Sequence, residues 1–208
     1  MIKKLALAAA IIGIIIYSLS GLGSEAGNYA AQLQKFRSEK NRSFRQSPES
    51  PLSTEQKAAF DSLDYYPVGG QWGTPTARLT RSARPDTVEM VMSDGKTEKY
   101  LRFGTVEFEE ADPVPRAPQR LTLFRKASGT DSTLFVPFTD LTNGHATYGG
   151  GRYLDVPLPA PDATEILLDF NRAYNPYCAY NSQYSCPMPP AENRLTVPIE
   201  SGEKEFVH

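Results

Sequence analysis

The sequence predicts a mainly β protein, an antiparallel β-barrel or sandwich of about seven or more strands preceded by one or two N-terminal helices. Three observations carry that expectation. Apolar and polar residues alternate, or run in short β-branched and aromatic blocks, through TVEMVM, EKYLRFGTVEFE, QRLTLFRKA and STLFVPFTD. The links between these runs are polar, Pro-rich or Gly-containing. Helical spacing appears only ahead of residue 64, and with no alternating helix pattern or internal repeat a parallel α/β sheet is disfavoured.

In chain order, MIKKLALAAAIIGIIIYSLSGLG comes first, with Lys3 and Lys4 ahead of an apolar run from Leu5. Residues 1–22 read as a signal peptide or membrane anchor, since about 18 weakly polar residues stand at the lower limit for spanning a bilayer. Ser18-Leu19-Ser20 before Gly21 suits cleavage, and the lack of a cysteine there excludes bacterial-type lipidation. The bulk of the chain is therefore expected outside the cytoplasm, in the periplasm or cell envelope, either secreted or held to the membrane through residues 5–22.

Residues 23–63 form the expected helical segment. Tyr29, Leu33, Phe36, Lys40 and Phe44 recur at spacings of three and four, the pattern of a modest amphipathic helix. Pro48 and Pro51 interrupt it, and Ser53 with Gln56 reads as a capping box opening a short helix through Phe60 and Leu63. The β-rich domain then occupies 64–208. Asp94-Gly95 marks a hairpin, read as a type I′ turn with positive φ at both central residues, and ATYGGGRYLDVPL, EILLDFN and RLTVPIE continue the strand pattern.

Composition narrows the function. With 22 basic and 24 acidic residues, a net charge of −2 and no Lys/Arg stripe, nucleic acid is not an expected partner. YGGGRYLDV runs on into strand residues and lacks the Lys-Ser/Thr pair of a phosphate-binding loop. There is no Gly-x-Ser-x-Gly elbow, and His145 and His208 are the only histidines, so no metal site of the His-rich kind is expected. No cofactor is indicated.

The run FNRAYNPYCAYNSQYSCPMPPAENRL, residues 170–195, reads as neither helix nor strand. Cys178 and Cys186 are most simply a disulfide in an exported chain, and closing that loop would contribute about 2–3 kcal/mol on the chain-entropy account. A cysteine nucleophile, a two-cysteine metal site completed by His145 or a carboxylate, and inert thiols remain alternatives.

Two long stretches of this sequence, LFVPFTDLTNGHATYGGGRYLDV and LDFNRAYNPYCAYNSQYSCPMPPAENRLTVPIESGEK, closely resemble the core of the domain of unknown function 1684 family. The likeness extends over about residues 28–206. Its blocks stand here as Phe138–Gly144, Thr147–Arg152, Asp169–Pro176 and Cys186–Asn193. The resemblance implies no reaction, substrate or cofactor, and His145 sits where the family pattern has no fixed histidine.

Within those blocks, Gly149–Gly151 permit a sharp bend, and Arg152 beside them can grip a carboxylate, either an internal Asp140 or Asp169 or a ligand's acid group. Asn171, Asn175, Asn181 and Asn193 donate and accept, while Tyr174, Tyr177, Tyr180 and Tyr184 offer flat faces with polar tips. The expectation is a stapled flap beside the Gly149–Arg152 bend, binding a small polar or anionic ligand through Asp140, Tyr148, Arg152, Asp169, Asn171, Asn175, Tyr180 and Asn193. A hydrolase drawing on Asp140, Asp169, Glu192 and Tyr148, and a structural envelope protein without a ligand, are the competing readings.

Overall fold

A computed structural model describes residues 27–70, 72–109, 117–127 and 132–207. The leader lies outside them, and among the described residues no helix is long and apolar enough to cross a membrane. The chain divides into two compact units, Met1–Arg42 and Ser43–His208.

Helix α1 covers residues 27–46, two residues beyond Phe44 of the expected amphipathic stretch, and ends just ahead of Pro48, whose ring would disturb further helix. Helix α2 is Thr54–Ala59, and its capping box is complete: Ser53 Oγ accepts from Gln56 N–H, and the Gln56 side chain accepts from Ser53 N–H. Six strands follow, β1 (Thr76–Val91), β2 (Thr97–Phe108), β3 (Gln119–Lys126), β4 (Thr133–Phe138), β5 (Arg152–Pro157) and β6 (Glu165–Leu167). They form one antiparallel sheet in the order β5-β4-β3-β2-β1-β6, curled into a half-barrel. A register shift between Arg81 and Asp86 divides β1 into two arms, so the sheet contains seven ladder segments. The first arm, Thr76–Arg81, escaped the alternation pattern because Ser-Ala-Arg-Pro follows it directly.

Alternation decides which face each side chain serves. Leu79, Val106, Phe108, Leu121, Leu123, Val136, Phe138, Leu154 and Val156 fill the main core, which Trp72, Leu168, Phe170, Leu195, Val197 and Ile199 cover from outside the named strands. Each such side chain stabilises the fold by roughly 1.5–3 kcal/mol. The segment RLTVPIE supplies three of these residues in strict alternation, yet it is not a strand of the ladder. Its backbone ties to the sheet edge only at points, among them Leu195 N–H to Thr139 O and Leu141 N–H to Val197 O.

Two turns differ from the expected geometry. The β1–β2 hairpin is present, but only Gly95 has positive φ (82°), and Met92 N–H reaches Lys96 O. The loop is thus a tight turn closed by one left-handed glycine. The expected strand through ATYGGG begins only at Arg152, because the N–H groups of His145, Ala146 and Thr147 all turn back onto Thr142 O. Gly151 makes the change of direction at φ 89°, where an added Cβ would fall 2.6 Å from Phe138 O.

Strands β3 and β4 are paired only at Phe124↔Phe135. The gap beside that pair is filled by a side chain. Asn193 Oδ1 accepts from Thr122 N–H at 2.7 Å, and its Nδ2 donates to Thr122 O and Pro137 O at 2.9 and 2.8 Å. The amide imitates a stretch of backbone between two strands that have separated.

Candidate functional site

Residues 170–195 fold as 3₁₀ turns, Phe170–Arg172, Tyr177–Ala179 and Ala191–Asn193, joined by irregular chain. Four of the expected site residues contribute to one buried polar network on the core side. Arg152 has no exposure, and its guanidinium meets Asp140 Oδ2 at 2.9 Å and the carbonyls of Ile199, Ser201 and Glu203 at 2.8, 2.5 and 3.1 Å. Asp140 is answered as fully: Oδ1 accepts from Thr142 N–H, Thr142 Oγ1–H and Ile199 N–H. Next to it lies Glu203, buried, whose Oε2 accepts from Asn175 N–H at 2.9 Å and Tyr180 Oη–H at 2.6 Å.

The expected hollow between Arg152 and the flap is therefore filled. Arg152, Asp140, Asn175 and Tyr180 meet around the C-terminal segment, and every carboxylate and cation there faces another group of the chain. The remaining expected residues lie apart from this network. Asn193 is the wedge between β3 and β4. Asn171 Oδ1 accepts from Gly69 N–H at 3.1 Å, with its Nδ2 buried and unpartnered. Asp169 binds its neighbour Arg172 at 3.0 Å. The carboxylates offered to a hydrolase do not converge either: Asp140 pairs with Arg152, Asp169 with Arg172, and Glu192 with Arg102 across a polar groove of about 380 Å³.

The open surface lies on the other face of the sheet. Tyr100, Phe135, Tyr153 and Tyr174 form a row of aromatic contacts: Tyr100 stacks on Phe135 at 5.6 Å, Phe135 meets Tyr153 edge-on at 4.7 Å, and Tyr153 meets Tyr174 at 5.7 Å. Tyr177 and Tyr184, edge-on at 5.3 Å, complete a cleft of about 350 Å³ with Pro176, Ser185, Cys186 and Pro187. Three hydroxyls are anchored at the margins, Tyr153 to Pro187 O, Tyr174 to Asp155 Oδ2 and Tyr100 to Glu98 Oε2. Burial pushes the Tyr153 and Tyr174 phenols upward, so both stay neutral donors. Among the described residues no Lys, Arg or His lines this cleft.

At its edge stand the two cysteines, present as thiols. The expected bridge is juxtaposed without being closed: Cys178 N–H points at Cys186 Sγ at 3.2 Å. Tyr148 Oη lies 3.8 Å from Cys178 Sγ, which places that expected site residue at the dithiol rather than beside Arg152.

Sequence reasoning missed Tyr100, Phe135, Tyr153 and Glu203. A signal for Tyr153 was available, because strand alternation sends it to the face opposite Arg152. Glu203 offered none, its role depending on a fold-back of the C-terminus.

Fold and site together define a small antiparallel half-barrel bearing an aromatic surface cleft beside a pair of thiols. The chain belongs to the family described as protein of unknown function (DUF1684), whose profile matches residues 58–204. It is similar to a solved structure, the solution NMR structure of an uncharacterized protein from Haloarcula marismortui, with 36% identity and a TM-score of 0.67 over 87% of this chain and 96% of that one. No curated protein matches.

Proposed function

We propose that this protein is a binding module for a small, neutral, hydroxylated ring compound of the saccharide kind, held in the tyrosine-lined cleft. One observation carries the reading: five tyrosines and Phe135 gather around a single surface hollow of a size suited to a small ligand. Aromatic faces stack against the C–H faces of a ring, while Ser185 and the hydroxyls of Tyr177 and Tyr184 supply directional hydrogen bonds. A ligand with an acid group fits less well, since no cationic side chain borders the cleft and Asp155 stands at its margin. The leader belongs to the same proposal: a chain exported through residues 1–22, or tethered by 5–22, meets such compounds in the envelope, and fractionation of cells producing it tests that placement.

The binding test is a titration of the protein with neutral mono- and disaccharides, following the tyrosine ring resonances by NMR. Saturable shifts confined to Tyr153, Tyr174, Tyr177 and Tyr184, lost in Tyr177→Ala, are the expected result. Shifts that survive that substitution, or no shift with any sugar, would dismiss the reading.

A further inference from the structure

We propose that Cys178 and Cys186 form a thiol–disulfide exchange site, with Cys178 the attacking sulfur, Cys186 the resolving sulfur, and a low-molecular-weight disulfide as the oxidant. This goes beyond ring binding and does not depend on it.

The geometry separates the two thiols by access. Cys178 is half-buried and opens onto a polar hollow of about 710 Å³ bordered by Ser53, Gln56, Asn181 and Gln183, wide enough to admit a disulfide-bearing molecule. Cys186 is buried on the cleft side, its own N–H held by Ser93 Oγ at 3.0 Å. Such a division, one sulfur reachable and one shielded behind it, is what two-step exchange requires. A bridge serving only as a staple has no use for an accessible sulfur.

The surroundings also favour a thiolate at the accessible position. The Cys186 thiol, the Tyr148 hydroxyl and the Ser93 hydroxyl face Cys178 Sγ, and their hydrogen bonds, that of Cys186 first, hold its pKa down at about 6. The same contact, with burial, pushes the Cys186 thiol upward. Tyr148, raised to about 12 by burial and then by Cys178, remains a donor throughout the physiological range. Among the described residues no group of three or more His, Cys, Asp or Glu side chains is placed to hold a metal ion.

The steps balance. The Cys178 thiolate attacks one sulfur of the oxidant, forming a mixed disulfide and releasing the first thiolate, which takes a proton from solvent. Cys186 then gives up its proton and attacks Cys178 Sγ, closing the Cys178–Cys186 bond and expelling the second half of the oxidant as a thiol. Two electrons pass from the protein dithiol to the small disulfide.

The test uses the full chain, reduced, with oxidised glutathione. Wild type is expected to lose two hydrogens and retain no glutathione, Cys186→Ser to accumulate one glutathionyl group on Cys178, and Cys178→Ser to react at least about tenfold more slowly. Alkylation of the wild-type chain by iodoacetamide supplies a readout free of variant folding: Cys178 is modified before Cys186, with a rate midpoint near pH 6 rather than near the ordinary thiol value. Equal trapping on either single cysteine overturns the proposal. So does a bridge that dithiothreitol reduces only after the chain is unfolded in urea, or an alkylation rate for Cys178 no higher than that of the unfolded chain.

Discussion

Arg152 and Tyr153 are adjacent in sequence and lie on opposite faces of β5, and the two faces have opposite characters. On the inner face, Arg152 has no exposure to solvent and spends both terminal nitrogens on Asp140 and three carbonyls, while its Nε is buried without a hydrogen-bond partner. On the outer face, Tyr153 belongs to a row of rings that opens into a cleft. The polar residues that look most like a site are engaged by the chain itself, whereas rings that look like packing line the open cleft. The difference follows from where the C-terminal segment 194–206 lies: it covers the inner face, and its carbonyls take up both terminal nitrogens of Arg152.

The sharpest way to break this comparison is to remove the cation on the inner face. Arg152→Met leaves Asp140 buried without its counter-charge and should cost about 3–5 kcal/mol, read as the shift in urea midpoint at constant slope. Changing Asp140 to Asn at the same time should recover part of the loss, because the orphaned charge then disappears while donors to Oδ1 keep an acceptor. A loss below about 1 kcal/mol for Arg152→Met would mean that the site is wet and that the inner face deserves the ligand reading after all.

Asn193→Ala comes next. It strips partners from Thr122 N–H, Thr122 O and Pro137 O between two strands paired at only one position, for an expected loss of about 3 kcal/mol. Hydrogen exchange should show Thr122 N–H losing its protection along with that of its β4 neighbours.

These two residues also mark what the sequence could disclose. Periods of two and of three to four made most of the strands, α1 and the Ser53–Gln56 capping box legible, because each is a local consequence of side-chain alternation or of one short hydrogen-bond motif. An Arg beside three glycines was legible as a carboxylate partner, and its pairing with Asp140 was one of the outcomes foreseen. What could not be read was how many of its partners would be backbone groups. Ile199, Ser201 and Glu203 reach Arg152 through backbone carbonyls, which every residue carries, so no side-chain pattern announces them. The wedge made by Asn193 is hidden for the same reason. The cleft escaped because Tyr100, Phe135, Tyr153 and Tyr174 come from four separate segments, and only the sheet order brings them side by side.

A smaller effect tests the boundary between the two faces. Tyr180 belongs to the same irregular run as Tyr177 and Tyr184 but points inward, where its hydroxyl donates to Glu203 at 2.6 Å. Tyr180→Phe keeps the ring packed against Phe44 and Phe206 and removes only that bond, which should cost about 1.5 kcal/mol in chemical denaturation. A neutral result would show that Glu203 is satisfied without it.

The smallest effect on stability should come from the outer wall, and it separates the two faces most cleanly. Tyr184 is half exposed and touches Tyr177 edge-on, so Tyr184→Ala should shift the unfolding midpoint by less than about 1 kcal/mol. Tyr153→Ala, at the floor of the same cleft, should cost about 3 kcal/mol or more because its ring is buried against Phe135 and Tyr174. A side chain that contributes little to the fold while forming a wall of the aromatic cleft is what a binding surface would leave over once folding has been satisfied. If Tyr184→Ala proved as destabilising as Tyr153→Ala, the rings would be a second core with an accidental opening, and the two faces of β5 would differ in composition but not in purpose.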